Sequence, residues 1–505
     1  MGKLTDKVAK GVFWVLMEKF GLQAVHFVVT LVLARLLTPN DYGTVALLSI
    51  FISISNILVD CGFGKALVQK KKVTQTDMNS VFFLSVAIAL FLYAVLFFAA
   101  PQVSRFYRIP ELTVMIRVLA VSLIFHSING VQNVELNRKM LFKLSFRISW
   151  ARAIVSAVTG IVLACAGYGP WALVWSSLLG GTTGVIARQL VIRWRPTLTF
   201  SWQSLRELFR FGWKLSATGF LTHAYNELYG LLIGRFYTRA DLAFVKKGAH
   251  VPRIIRGIGL ATLSRVSFSA LSKLQDDPRR LCGAMRKMIR VSMFVMLPPL
   301  AVLAVVAEPI IYLMYGHRWL PCVPYLRVAC IGCAIVPFVS INTQALIARG
   351  RSDIYFKVMV VYRLLGLCLI AATIRYGVMV FYLSNVLFSS LFGAFVWSAP
   401  NRRHLGYRMR MQLEDLLPSV LLAVASGAVA LLTMQIPVKP VFAFVPAALA
   451  GLATFGALAY GFRCQTLGVI AVIARPIVSR RVPALEYVFL KVEKRCGKLE
   501  EGIRK

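Results

Sequence analysis

Acidic residues are scarce in this chain. Its 505 residues include 20 Asp and Glu against 58 Lys and Arg, a formal net charge of +38. Charged residues make up 15% of the chain, and 58% come from the apolar set AVILMFWYC. A soluble domain runs near 25% charged and 45–50% apolar, roughly. So little charge excludes a water-soluble domain, and so much apolar content excludes disorder. No GxxxxGK[ST] loop, HExxH, GxSxG or DxD-like cluster is present, which leaves no ATP-hydrolysing or other catalytic constellation. The chain reads as a non-enzyme without cofactor. The nine cysteines are scattered, and only Cys330 and Cys333 have CxxC spacing, inside an apolar run with no second Cys/His pair. They read as small apolar residues on one helix, with no metal site and no disulfide framework. The first apolar run carries Glu18 and Lys19 without an A-x-A site after it, so no cleavable signal is expected.

What is abundant is long apolar runs. A bilayer-crossing helix needs about 20 such residues. They place spans at 11–37, 41–61, 80–100, 113–131, 148–167 and 170–191, then 212–235, 248–271, 290–314, 324–347, 357–376 and 378–399, and finally 414–434 and 440–461. The fold class is therefore an all-α polytopic membrane protein of about fourteen transmembrane helices. Basic residues gather in alternate loops, for example Lys65 to Lys72, Arg138 to Arg147, Arg193 to Arg210 and Arg402 to Arg410. The basic excess thus lies in short loops rather than on a polar domain, which argues against nucleic acid. It puts both termini and these loops on the cytoplasmic side.

The sequence compares with itself at an offset near 200 to 214. Arg35, Thr38 and Asp41 match Arg235, Thr238 and Asp241. Arg117-Val118 matches Arg327-Val328, Ser127-Ile128-Asn129 matches Ser340-Ile341-Asn342, and Tyr168-Gly169 matches Tyr376-Gly377. Ordered polar landmarks are not chance products of an apolar composition. Spans one to six and seven to twelve read as two pseudo-symmetric six-helix lobes, with two appended helices. The expected divisions are 1–200, 201–400, 401–462 and a basic cytoplasmic tail at 463–505. Parallel repeats of this kind relate by an axis along the membrane normal and leave a central cleft for alternating access.

Charges within spans are costly and mark a water-filled path or a partner. Lys246, His250 and Arg253 lie within about 60° of each other on one helix at 100° per residue, with Arg256 about 60° further round and Arg265 turned away. With Lys19 and Arg363 these residues are the candidate cationic cleft, suited to an anionic ligand because guanidinium binds phosphate oxygens in bidentate fashion. Glu18, His26, Asp60, His223 and Glu227 are candidates for ion coupling or gating, with structural pairing the competing reading for Glu18 and helix capping for Asp60. Arg35 and Arg235 are expected to snorkel, each with a local ion pair to Asp41 or Asp241 beside it.

Several segments carry a resemblance: Gly11-Val12-Phe13-Trp14 with Glu18-Lys19-Phe20-Gly21, Leu33 to Pro39 with Asp41-Tyr42-Gly43, Gly62 to Lys70, Trp319-Leu320-Pro321, and Gly350-Arg351-Ser352-Asp353. Over roughly residues 10–430 the chain resembles the Wzx-type oligosaccharide flippases. The likeness is to the colanic-acid-exporter-like branch of the polysaccharide transporter family in the multidrug/oligosaccharidyl-lipid/polysaccharide (MOP) exporter superfamily. That resemblance implies a bacterial inner-membrane location and a polyprenyl-diphosphate-linked oligosaccharide as cargo, with polysaccharide polymerase machinery as a further partner. Leu242 to Lys247 stands where the family usually shows a Tyr-Tyr-Asn/Lys-Arg stretch. Competing readings are a drug or cation exporter of the same superfamily, which the basic excess disfavours, and a membrane glycan polymerase or ligase, which the short outside loops disfavour.

Overall fold

The computed structural model describes residues 2–70, 72–192, 194–257, 271, 274, 277–436, 440–462, 464, 466–468, 490, 492 and 496. Among these the regular structure is all helix. Two compact units emerge, Met1–Ala243 and Phe244–Lys505.

The first unit contains α1 (Gly2–Leu36), α2 (Pro39–Asp60), α3 (Phe63–Gln69), α4 (Gln75–Tyr107), α5 (Leu112–Ala120), α6 (Ser122–Arg138), α7 (Phe142–Cys165), α8 (Pro170–Val191) and α9 (Trp202–Phe236). Several helices overrun the apolar spans. α1 and α9 have 35 residues each and α4 has 33. At about 1.5 Å per residue these reach ~50 Å, well beyond a hydrocarbon core of about 30 Å. Polar end turns continue the helix into the headgroup layer, where backbone hydrogen bonds are still satisfied within the helix. α9 packs on α2, α3 and α4.

α10 (Arg239–Gly248) follows, and the unit boundary falls within it. The second unit then has α11 (Pro278–Val305), α12 (Ala307–Tyr315), a 3-10 turn at His317–Cys322, α13 (Val323–Ala348), α14 (Ser352–Thr373) and α15 (Val378–Leu387). A π turn at Phe388–Phe392, α16 (Gly393–Leu405), α17 (Met409–Met434) and α18 (Pro440–Gly461) complete it.

Among the described residues, eleven helices are long and apolar enough to cross a membrane. Three of the fourteen expected spans lie outside that set. Residues 258–270 of the span at 248–271 fall outside the described residues. α9 is helical but polar. α8 is diluted by Gly180-Gly181-Thr182-Thr183-Gly184, and the reason is packing. Ser156 and Ser176 hydroxyls meet at 2.9 Å, and a Cβ on Gly180 would come within 2.9 Å of Ser156. Small residues of this kind let membrane helices approach closely.

The repeated polar landmarks have structural roles. Thr38 and Asp41 form a reciprocal cap at the start of α2, with Thr38 N and Oγ1 donating to Asp41 Oδ2 at 2.8 and 2.7 Å. Thr238 and Asp241 do the same for α10 at 3.1 and 2.6 Å. The two carboxylates thus serve as caps, and the Arg235 guanidinium stacks over the Phe106 ring at 4.7 Å. Arg117 donates to the Phe97 carbonyl at 3.2 Å, and Arg327 donates to the Ala304 carbonyl at 3.3 Å. In both units the repeated arginine ties its helix to the long helix before it.

Candidate functional site

The cationic row rests on the helical stretch that α10 begins. Pro252 has no N–H to give the Gly248 carbonyl, and the helix is interrupted at Ala249 before resuming over 250–257. Gly248 seats the stretch on the second unit: a Cβ there would lie 2.9 Å from the Cys322 carbonyl oxygen and 3.0 Å from Leu326 N. Lys246, His250 and Arg256 are half-buried and Arg253 is exposed. His250 Nδ1 lies 3.5 Å from the Tyr315 hydroxyl. Arg253 and Arg256 both act electrostatically on Cys333, and Arg253 also acts on Tyr382. Tyr382 packs edge-on against Tyr325, 5.7 Å between centroids. Lys246, His250, Arg253 and Arg256 thus share one helical stretch, with His250 beside Tyr315 and the two arginines near Cys333. Arg265 lies outside the described residues. Arg363 sits on α14 with its guanidinium 5.9 Å from the Tyr362 ring.

Lys247 was passed over in favour of its neighbour. Its ammonium lies over the Tyr315 and Trp319 rings, 5.5 and 5.9 Å from their centroids. A lysine one residue from the row thus points into an aromatic cage, a cation–π arrangement. Adjacent residues on a helix point about 100° apart, which was the signal available for separating the two.

In the first unit Glu18 receives hydrogen bonds from Ser149 at 2.6 Å and Ser145 at 3.3 Å, both on α7. Lys19, next in sequence, is exposed, as is His26. Asp60 ends α2 but does not cap it, since Cys61 takes the left-handed cap position. Its carboxylate pairs instead with His126 Nε2 on α6 at 3.0 Å. His223 is exposed and Glu227 half-buried on α9.

Two polar centres escaped the sequence reading. Arg188 is 9% exposed and donates to Asn129 Oδ1 at 3.1 Å, Asn133 Oδ1 at 3.2 Å and the Gly184 carbonyl at 3.1 Å. Asp415, its side chain wholly buried, accepts two hydrogen bonds from Arg286 at 2.7 and 2.9 Å, one from Arg290 at 2.6 Å and one from the Tyr407 hydroxyl at 2.8 Å. Burial and its bond to Asp415 push the Tyr407 hydroxyl well above the usual phenol range. This centre fastens α17, the first appended helix, to α11. Among the described residues no group of three His, Cys, Asp or Glu is placed to hold a metal.

A sequence profile described as "Polysaccharide biosynthesis protein" matches residues 32–324. The chain is 24% identical over 361 residues to the lipopolysaccharide biosynthesis protein WzxC of Escherichia coli, covering 70% of this chain and 72% of that one. It is 23% identical over 349 residues to the succinoglycan biosynthesis transport protein ExoT of Rhizobium meliloti, covering 69% and 71%. In fold it is similar to the lipid II flippase MurJ in an inward closed conformation, with TM-score 0.71, 14% identity, and 89% and 98% of the two chains covered. It is also similar to an inward-facing multidrug resistance MATE transporter of the MOP superfamily, with TM-score 0.62, 14% identity, and 76% and 94% covered.

Proposed function

Because the chain belongs to the polysaccharide biosynthesis protein family, we propose that it is a flippase. It moves a polyprenyl-diphosphate-linked oligosaccharide across the bacterial inner membrane by alternating access, with both termini cytoplasmic, and supplies surface polysaccharide assembly. The observation that carries this reading is the row Lys246, His250, Arg253 and Arg256 on one helical stretch. A diphosphate is an anion with a dense set of acceptor oxygens. Two guanidiniums can each offer parallel donors to it. Lys19, Arg265 and Arg363 are further basic candidates. His250 also lies beside a protein partner of its own, Tyr315. Glu18 and Asp60, already hydrogen-bonded within the first unit, are the groups by which ion coupling or gating would act, with His26, His223 and Glu227.

A cation exporter would need net negative charge where this chain carries a basic row, and that separates it from the drug-exporting members of the superfamily. The test is reconstitution in proteoliposomes with a fluorescent polyprenyl-diphosphate oligosaccharide, reading the fraction accessible to an external quencher. Flipping above that of empty vesicles is expected. Export of a cationic dye with no lipid flipping would replace this reading. Single cysteines at positions 4, 169, 404 and 499 test orientation: only 169 should take label from the periplasmic side.

A further inference from the structure

The segment joining α8 to α9 holds large apolar side chains outward. Leu198 is 95% exposed, Trp202 68% and Phe200 54%. This exposure is built in. Asn79, fully buried on α4, donates to Thr197 Oγ1 and Thr199 Oγ1 at 2.6 Å each. The Ser201 backbone N–H donates to Ser80 Oγ at 2.8 Å, and Gln75 Nε2 donates to the Arg195 carbonyl at 3.0 Å. Both threonine hydroxyls are tied to Asn79, and the backbone turns between them, with the Thr199 N–H donating to the Thr197 carbonyl at 2.7 Å, so Leu198 stands at the tip of the turn. Arg195, Arg206 and Arg210 beside them are exposed. Exposed Trp and Phe next to Arg match the headgroup boundary of a bilayer, where the ring is half in hydrocarbon and the cation meets lipid phosphate.

A cavity of about 520 Å³ adjoins this segment. It is lined by Thr74, Gln75, Glu135, Arg138, Lys139 and Trp194 among others. Gln75 lines it and also holds Arg195, so cavity and segment are mechanically joined. Arg138 organises one wall by donating to the Leu67 and Lys70 carbonyls at 2.9 and 2.7 Å. Lys139 pairs with Glu135 while staying 64% exposed, so its remaining N–H bonds can reach an incoming anion.

We propose that residues 195–202 seat in the bilayer interface and that the adjoining cavity takes the phosphate headgroup of an anionic phospholipid. This is a resident lipid, distinct from the cargo. Its phosphate meets Lys139 and Arg195, and its acyl chains lie over Leu198, Phe200 and Trp202. The charge of this end of the unit selects an anionic headgroup over a zwitterionic one.

The test uses the full-length protein, delipidated in detergent and offered phosphatidylglycerol or phosphatidylcholine, with retained lipid read by native mass spectrometry. Wild type should keep phosphatidylglycerol preferentially. Lys139→Gln with Arg195→Gln should lower that retention roughly tenfold, the value of one charged hydrogen bond. Substituting Leu198, Phe200 and Trp202 by Ser should lower retention of both lipids, and all three sites are surface positions that leave the core unchanged. In vesicles, brominated phosphatidylglycerol should quench the part of the fluorescence lost in Trp202→Phe. Equal retention of both lipids by wild type would overturn the proposal. So would stripping of the lipid by millimolar inorganic phosphate, or a Trp202 signal open to aqueous iodide and blind to brominated lipid. Selective loss of a co-purified polyprenyl lipid in the Gln variant would make the cavity a cargo site and overturn it too. None of these results depends on whether the protein flips.

Discussion

Asn401 donates its side-chain amide to Asn342 Oδ1 at 2.8 Å, inside the second unit. In the first unit Arg188 makes the corresponding contact with Asn129 Oδ1 at 3.1 Å. Both residues are displaced by one and the same offset along the chain, the offset of the Ser-Ile-Asn landmark. The repeat is therefore a repeat of hydrogen bonding, with an arginine in one copy and an asparagine in the other.

Replacing Asn401 by Leu should lower stability by roughly 1–3 kcal/mol, because the Asn342 acceptors it leaves behind are buried. Arg188→Leu should cost at least as much, since two side-chain amides and a carbonyl lose their donor. Thermal unfolding in detergent measures both. Unchanged melting in both variants would reject a structural role for this pair.

Arg253→Ala and Arg256→Ala should abolish or strongly reduce flipping with normal membrane insertion, and Lys19→Ala should reduce it. Arg→Lys at 253 or 256 should restore activity only partly, because the planar fork is lost. Arg105 and Arg108 substitutions serve as controls. Wild-type flipping in all three Ala variants would move the diphosphate site elsewhere.

Asp415→Asn should destabilise the protein by roughly 2–3 kcal/mol, less than a fully buried pair because Arg286 and Arg290 keep 28% and 38% of their side-chain exposure. Charge imbalance is the cause. Arg286→Met together with Asp415→Asn should therefore recover part of the loss. A double variant no better than the single one would show that packing, rather than charge, dominates there.

A side chain at position 43 cannot be accommodated, because a Cβ on Gly43 would overlap the Arg239 carbonyl. Gly43→Val should drive the start of α2 away from α10 and break the Arg239 to Thr44 contact at 3.2 Å. Low yield of folded protein by size-exclusion chromatography is the expected result. A monodisperse, fully stable Gly43→Val protein would contradict the contact.

Much of this was legible in residue patterns. The apolar spans gave the helical membrane class. The Thr-x-x-Asp corners were legible too, but as ion pairs with Arg35 and Arg235. The three-residue spacing that makes a cap was the better signal. Other features depend on residues distant in sequence. Nothing near Asp60 announces His126, and nothing near Asp415 announces Arg286 and Arg290.

The placement of α9 bears on how this chain can be cut. By sequence it opens the second copy of the repeat, yet its packing partners are α2, α3 and α4. Two polypeptides separated at the repeat junction, near 200, would leave a 35-residue helix on a fragment without those partners. Separation after Ala243 keeps α9 with them. The seam near 200, where the sequence starts over, is therefore the place to avoid for co-expressed halves or a fluorescent insert.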